Sequence, residues 1–228
     1  TNHRLGAEPI TTNPATISPK DNVITRDGDS HAPTRPDMIE AVLAMPLDNT
    51  GLQLGKINFD HRITELGFYF PVRRLEPGRL QELARQQGFS QSSALLGVFQ
   101  GLDFADLQGF MTGFIDLVIE WQGRFYLIDY KSNWLGEDLD AYAQTQLQQA
   151  MLVHRYPLQY LFYVLALHRY LARRVVGYDY DRHFGGVLYL FLRGMDCRVG
   201  NGHGVFRERP AKAFIEALDR YLAEGVTR

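Results

Sequence analysis

The chain has 228 residues, a formal net charge of −2, and 45% hydrophobic and 22% charged residues. That length and apolar content suit one compact domain with its own core, and the near-neutral charge excludes a broadly basic nucleic-acid coat. One cysteine, Cys197, excludes an internal disulfide framework and fits a reducing compartment. No apolar run is long enough to span a bilayer and the start has no signal-peptide pattern, so the expectation is a cytoplasmic chain without membrane contact. Seven histidines without a His-x-x-x-His pair or a Cys-His cluster argue against zinc.

Residues 1–36 are rich in Thr, Asn, Pro, Asp and Ser, with no helical or strand period, and read as an irregular linker. Residues 37–228 read as one domain. Met38–Met45 has the spacing of a short amphipathic helix, through Ile39, Val42, Leu43 and Met45, stopped by Pro46. A strand is expected over Thr64–Phe70, ended by Pro71, and a helix over Glu76–Gln87, stopped at Gly88. No element is assigned to 90–108. A hairpin follows over Gly109–Ser132, then helices over Asp138–Val153 and Leu158–Arg174, a strand over Gly186–Leu192 and a last helix from Pro210 to Ala223. Strands interleaved with helices predict an α/β fold with a mixed central sheet flanked by helices.

The hairpin holds the most informative residues. Gly113-Phe114-Ile115-Asp116-Leu117-Val118-Ile119 and Phe125-Tyr126-Leu127-Ile128-Asp129-Tyr130-Lys131 are apolar strands joined across Gln122-Gly123. Charges inside such runs are costly unless something uses them. A two-residue loop at Gln122-Gly123 makes Trp121 face Arg124, and the same register sets Asp116 opposite Asp129. Opposed carboxylates about 5 Å apart repel, and a cation between them reverses the sign. Lys131, two residues on, projects from the Asp129 face. An oxygen-only pair suits a hard ion such as Mg²⁺, with Mn²⁺ or Ca²⁺ as substitutes. From spacing alone, a solvated hairpin face carrying Asp116, Glu120, Asp129 and Lys131 reads as well as a metal site.

The motifs that extend this trio are Leu127-Ile128-Asp129-Tyr130-Lys131-Ser132-Asn133-Trp134-Leu135-Gly136, then Tyr156-Pro157-Leu158-Gln159-Tyr160-Leu161-Phe162-Tyr163, Ala166-Leu167-His168-Arg169-Tyr170-Leu171 and His183 through Gly194. In this order they resemble the C-terminal nuclease domain of the RecB family, within the PD-(D/E)xK nuclease superfamily. The resemblance covers about residues 37 to 224. It implies a restriction-endonuclease-like core and a Mg²⁺-dependent deoxyribonuclease that hydrolyses phosphodiester bonds with metal-activated water, in double-strand-break repair and recombination. It implies Asp116 and Asp129 as metal ligands with the Tyr130 carbonyl, Lys131 as catalytic, and Gln159 and Tyr163 as the Gln-x-x-x-Tyr element beside the site. Glu65, on the strand before the hairpin, could lean toward the site or be merely solvated.

The resemblance also implies partners: DNA, subunits of the RecC and RecD type, and the RecA recombinase. A further ligand in that family, a histidine on a helix well upstream of the hairpin, has no counterpart here. His3 and His31 lie in polar sequence and His61 just before a strand. The alternative function is therefore a weakly active or inactive docking module for RecA or RecC. Basic candidates for a DNA path are Arg73 with Arg74, Arg169 with Arg173 and Arg174, and Arg193 with Arg198.

Overall fold

The structure, a computed structural model, describes residues 35–87, 98–99, 107–198, 200 and 202–224. Five strands form one mixed sheet in the order β1-β2-β3-β4-β5: β1 Arg62–Leu75, β2 Leu107–Trp121, β3 Arg124–Lys131, β4 Phe184–Phe191 and β5 Val205–Glu208. All neighbours are antiparallel except β3 and β4, which run parallel. The described helices are α1 Arg35–Ala44, α2 Pro77–Gln86, α3 Gln144–Val153, α4 Tyr156–Arg174, the single turn α5 Tyr180–His183, and α6 Lys212–Glu224. None is long and apolar enough to cross a membrane.

The mixed sheet with flanking helices is the architecture the sequence predicts. One face carries the larger core, built from β-strand residues such as Ile115, Val118, Leu127, Val187 and Tyr189 against Leu80, Leu147, Leu161, Leu165 and Leu218 of the helices. On α6, Phe214, Ile215, Leu218, Tyr221 and Leu222 are buried at helical spacing, each worth about 2 kcal/mol of burial. The opposite face is covered by residues 42–57, with Val42, Met45, Leu47 and Leu52 packed on Leu117, Ile119, Ile128 and Leu188.

The turn behind the site is as the hairpin signal predicts. Gln122 (φ 50°) and Gly123 (φ 73°) both adopt left-handed backbone, the mirror-type two-residue turn that matches strand twist. Trp121 pairs Arg124, and the register holds to Leu117 and Ile128.

Four local expectations are corrected. The first strand does not stop at Pro71 but runs on to Leu75, with Pro71 paired to Phe110. β1 is an edge strand, where a missing N–H costs no ladder bond on the open side. The helix expected over Asp138–Val153 is broken: a 3₁₀ turn covers Leu139–Tyr142, and α3 starts only at Gln144. Ala143 between them is extended and bridges His203, while Gly204 N donates to the Tyr142 carbonyl at 2.9 Å. The elements β5 and α5 lack a predicted counterpart because each is four residues long, too short for a period to register. Finally, α1 takes in residues 35 and 36, read from sequence as the end of the linker; a proline is tolerated in a first helical turn. Residues 1–34, most of 90–108 and the last four lie outside the described residues.

Candidate active site

Two strands separate at the aspartates. Below them β2 pairs with β3; beyond Ile128, β3 continues beside β4, with Asp129 opposite Tyr189 and Lys131 opposite Phe191. Asp116 stands at the fork, and its Oδ2 accepts the backbone N–H of Tyr130 at 3.0 Å. The carboxylate thus takes the place of the ladder bond that the parting strands give up.

The other side of Asp116 is also irregular. The β1–β2 ladder is continuous from Arg62↔Ile119 to Val72↔Gly109 except at Glu65 and Asp116. Glu65 has left-handed backbone, φ 51°. Both strands change face there. Ile115 and Val118 both join the helix-side core, while Leu117 joins the opposite one; Ile63 and Leu66 likewise both pack on the helix side. Alternation of a regular strand forbids that. Strand irregularities of this kind re-aim side chains beside functional sites. Glu65 therefore stands opposite Asp116 in register, exposed to solvent.

Asp129 is the one charged side chain fully buried among the described residues, 3% exposed. Lys131 Nζ lies 2.6 Å from its Oδ2. That contact is charge on charge, without the alignment of a hydrogen bond, so Oδ2 keeps a lone pair with no aligned donor. Burial pushes the Asp129 carboxyl up to about 6; Lys131 pulls against this and the Asp116 charge adds to it.

Lys131 is held on several sides. Its Nζ donates to Gln159 Oε1 at 3.2 Å and lies over the Tyr156 ring, 4.1 Å from the centroid, and 5.1 Å from that of Tyr189. Gln159 Oε1 also accepts from Tyr189 Oη at 3.1 Å, and its Nε2 donates to Tyr163 Oη at 3.0 Å. These bonds fix which end of the amide faces the lysine. Burial holds the Tyr163 and Tyr189 phenols above their usual range, so both stay protonated.

The structure thus brings Asp116, Asp129, the Tyr130 backbone, Lys131, Gln159 and Tyr163 into one neighbourhood and sets Glu65 beside Asp116. Among the described residues no three His, Cys, Asp or Glu side chains converge as a metal-holding group, so Glu65 does not close a three-carboxylate cluster here. His61 pairs with Glu120 at 3.1 Å, at the far end of the hairpin from the site. His3 and His31 lie outside the described residues. Of the basic candidates, Arg193 is nearest, its Nε donating to the Ser132 carbonyl at 3.0 Å. Arg169 is tied to Asp219 and Arg198 to Asp196. Sequence reasoning assigned no role to Tyr156 and Tyr189, whose rings face Lys131, or to Asn133, which holds Tyr156. Their signal was present, since all three sit inside the quoted motifs, but nothing local says that a helix tyrosine and a distant strand tyrosine meet one lysine.

A mixed sheet whose strands fork at an aspartate, with Asp-x-Lys on the next strand, defines a nuclease class. The sequence profile of the PD-(D/E)XK nuclease superfamily matches residues 58–228, and the chain belongs to that superfamily. Its relatives include the RecBCD enzyme subunit RecB of Escherichia coli K12, 45% identical over 196 residues, covering 86% of this chain and 16% of that protein. RecB of Mycobacterium tuberculosis H37Rv is 36% identical over 220 residues, 86% of this chain and 20% of that one. RecB of Buchnera aphidicola from Acyrthosiphon pisum is 35% identical over 179 residues, 78% and 15% respectively. The chain therefore spans a fifth or less of the length of these relatives.

The donor set suits a hard divalent cation. Two carboxylates and a backbone carbonyl are all oxygen, one carboxylate oxygen is buried without an aligned donor, and the Asp116 charge adds to the cost of ionising Asp129.

Proposed function

We propose that this chain is the nuclease domain of a RecB-type helicase–nuclease and hydrolyses DNA phosphodiester bonds with Mg²⁺. The observation that carries the reading is the buried Asp129, next to Asp116 at the strand fork, with the Lys131 ammonium 2.6 Å from its Oδ2. Asp116, Asp129 and the Tyr130 carbonyl would hold the ion. Bound there, Mg²⁺ would make a water more acidic and offset charge on the scissile phosphate.

The remaining roles belong to the chain's own atoms. Lys131, a compact point charge, orients the attacking water or stabilises the negative charge that builds on the phosphate. Gln159 fixes the lysine through its Oε1, and Tyr163 and Tyr189 fix Gln159. Glu65, opposite Asp116, adds negative potential at the mouth of the site and is available to an ion-bound water. The substrate is DNA, reached along a modest basic rim that includes Arg193. RecC- and RecD-type subunits, RecA contact, a cytoplasmic setting and a role in break repair and recombination follow from the RecB relationship. Mn²⁺ or Ca²⁺ would occupy the same oxygens.

The test is cleavage of single-stranded DNA with Mg²⁺ by the purified chain and by Asp129→Ala. Loss of at least a hundredfold in rate is expected; a variant cutting at the parental rate sinks the reading.

A second reading is a docking module for RecA or RecC with weak or no cleavage. Its motivation is that no described histidine or third acid joins Asp116 and Asp129. Calorimetric titration with Mg²⁺, Mn²⁺ or Ca²⁺ separates the two: binding that Asp116→Asn abolishes counts against a pure docking role.

A further inference from the structure

We infer that Asn133, Tyr156 and Tyr189 form a collar that positions the Lys131 ammonium, an inference that rests on the nuclease reading for its purpose but not for its geometry.

A lysine ammonium sits on four rotatable bonds, and holding it in one place costs conformational entropy that the surroundings must offset. Two of its neighbours, Asp129 and Gln159, lie on one side as charge and hydrogen-bond partners. The Tyr156 face, 4.1 Å away, and the Tyr189 face, 5.1 Å away, supply the others. Aromatic faces attract a cation through their quadrupole, most strongly where water is excluded, and the Lys131 side chain is only 13% exposed. The two rings lie 5.7 Å apart, so they act as adjoining walls.

Tyr156 is not left free to swing. Its Oη donates to Asn133 Oδ1 at 3.1 Å, and the His154 ring stacks on it at 5.3 Å. Asn133 Nδ2 in turn lies 3.1 Å from His154 Nε2, which accepts in the tautomer that leaves that nitrogen unprotonated. Asn133 is two residues beyond Lys131 on the same chain segment. The segment that carries the lysine therefore also ties down the ring that confines it. The Ser-Asn that follows Asp-Tyr-Lys in the motif acquires a physical reason. Tyr189 is fixed independently by its bond to Gln159. These are positioning residues: Tyr156 and Tyr189 touch Lys131, and Asn133 acts through Tyr156.

The experiment uses the whole chain and four variants: Tyr156→Leu, Tyr156→Phe, Asn133→Ala and Lys131→Met. The first readout needs no catalysis. The Lys131 Cε protons, identified by their loss in Lys131→Met, should resonate upfield from ring current in the parental chain and in Tyr156→Phe. In Tyr156→Leu they should move back toward the position of a free lysine. The second readout is Mg²⁺-dependent cleavage of single-stranded DNA. Tyr156→Leu should lower kcat roughly tenfold or more with KM changed less than twofold. Tyr156→Phe, which keeps the ring and loses the bond to Asn133, should recover most of that loss and match Asn133→Ala. Should Tyr156→Leu fail to fold, Tyr156→Met, which fills the space without a ring, takes its place in the same two readouts. An unshifted Lys131 resonance in Tyr156→Leu, or parental kcat in that variant while Asp129→Ala is inactive, overturns the collar. A parental chain that does not cut at all counts against the nuclease reading and against the collar's catalytic purpose, and is distinguished from the first case by the Lys131 resonance.

Discussion

At the scale of single residues, the site is a set of opposed electrostatic costs and partners. Asp129 loses hydration on burial and faces a second carboxylate; the adjacent lysine answers part of that. Because its carboxyl titrates near 6, protons compete with metal just below neutral pH. The apparent Mg²⁺ affinity should be flat above about pH 7 and fall toward tenfold per pH unit below about 6, as the carboxyl takes up its proton. Calorimetry in buffers of different ionisation enthalpy checks this, since binding at pH 5.5 should release about three-quarters of a proton. A site insensitive to pH between 5 and 7 would remove Asp129 from the ligand set. Glu65 carries a different cost: left-handed backbone at a residue with a side chain, on the order of 1 kcal/mol. Glu65→Gly should recover part of it as a higher midpoint in urea, and cation binding should weaken at the same time because a neighbouring negative charge is lost. Stabilisation with unchanged affinity would assign Glu65 to the fold alone.

Elements explain why the residues meet. The mirror-type turn at Gln122-Gly123 sets the β2–β3 register, which runs to Leu117 and Ile128, the residues next to Asp116 and Asp129. Gly123→Ala forces a side chain into φ 73° in open space, so it should cost about 1 kcal/mol in chemical denaturation. Tertiary contacts along the two strands hold the register, so cation affinity should stay within about twofold. Helix α4 supplies a second pH response. His168 is half-buried against Tyr178, and burial lowers its pKa, outweighing the opposite pull of Asp219 and Glu216. A histidine whose folded pKa lies below its unfolded value near 6.5 favours the fold above that pH. Its contribution is lost as pH falls through 6.5 and below. His168→Gln should therefore narrow the drop in melting temperature between pH 7.5 and 5.5; an unchanged drop would mean that other groups carry the acid response. The hairpin was legible from Asp116 to Lys131 because a two-residue turn fixes pairing locally. The break of the helix at Ala143 was not, since it depends on His203 and Gly204, some sixty residues away.

For the whole molecule, charge sets how strongly DNA could be held. The net charge is −2, and several basic candidates are already committed, Arg169 to Asp219 and Arg198 to Asp196. A domain of net charge −2 should bind single-stranded DNA weakly. With about three phosphate contacts, affinity should fall more than tenfold between 50 and 200 mM salt. Filter binding across that range checks it.

What the sequence determined by itself was everything encoded by neighbours in the chain: the apolar strands, the Gln122-Gly123 turn, the β2–β3 register that follows from it as far as Leu117 and Ile128, and Lys131 on the face of Asp129. The same local patterning gave the helices that cover the sheet. Tertiary structure decided the rest. Parallel pairing of β3 with β4 sets Tyr189 beside Asp129, and packing of α4 delivers Gln159, Tyr163 and Tyr156 to Lys131. The paired irregularity at Glu65 and Asp116 has no signature in either strand alone, because a left-handed glutamate becomes visible only when two strands change face together. Burial turned an Asp-x-Lys spacing into a site: the low dielectric around Asp129 is a property of everything packed around it, and no single segment contains it.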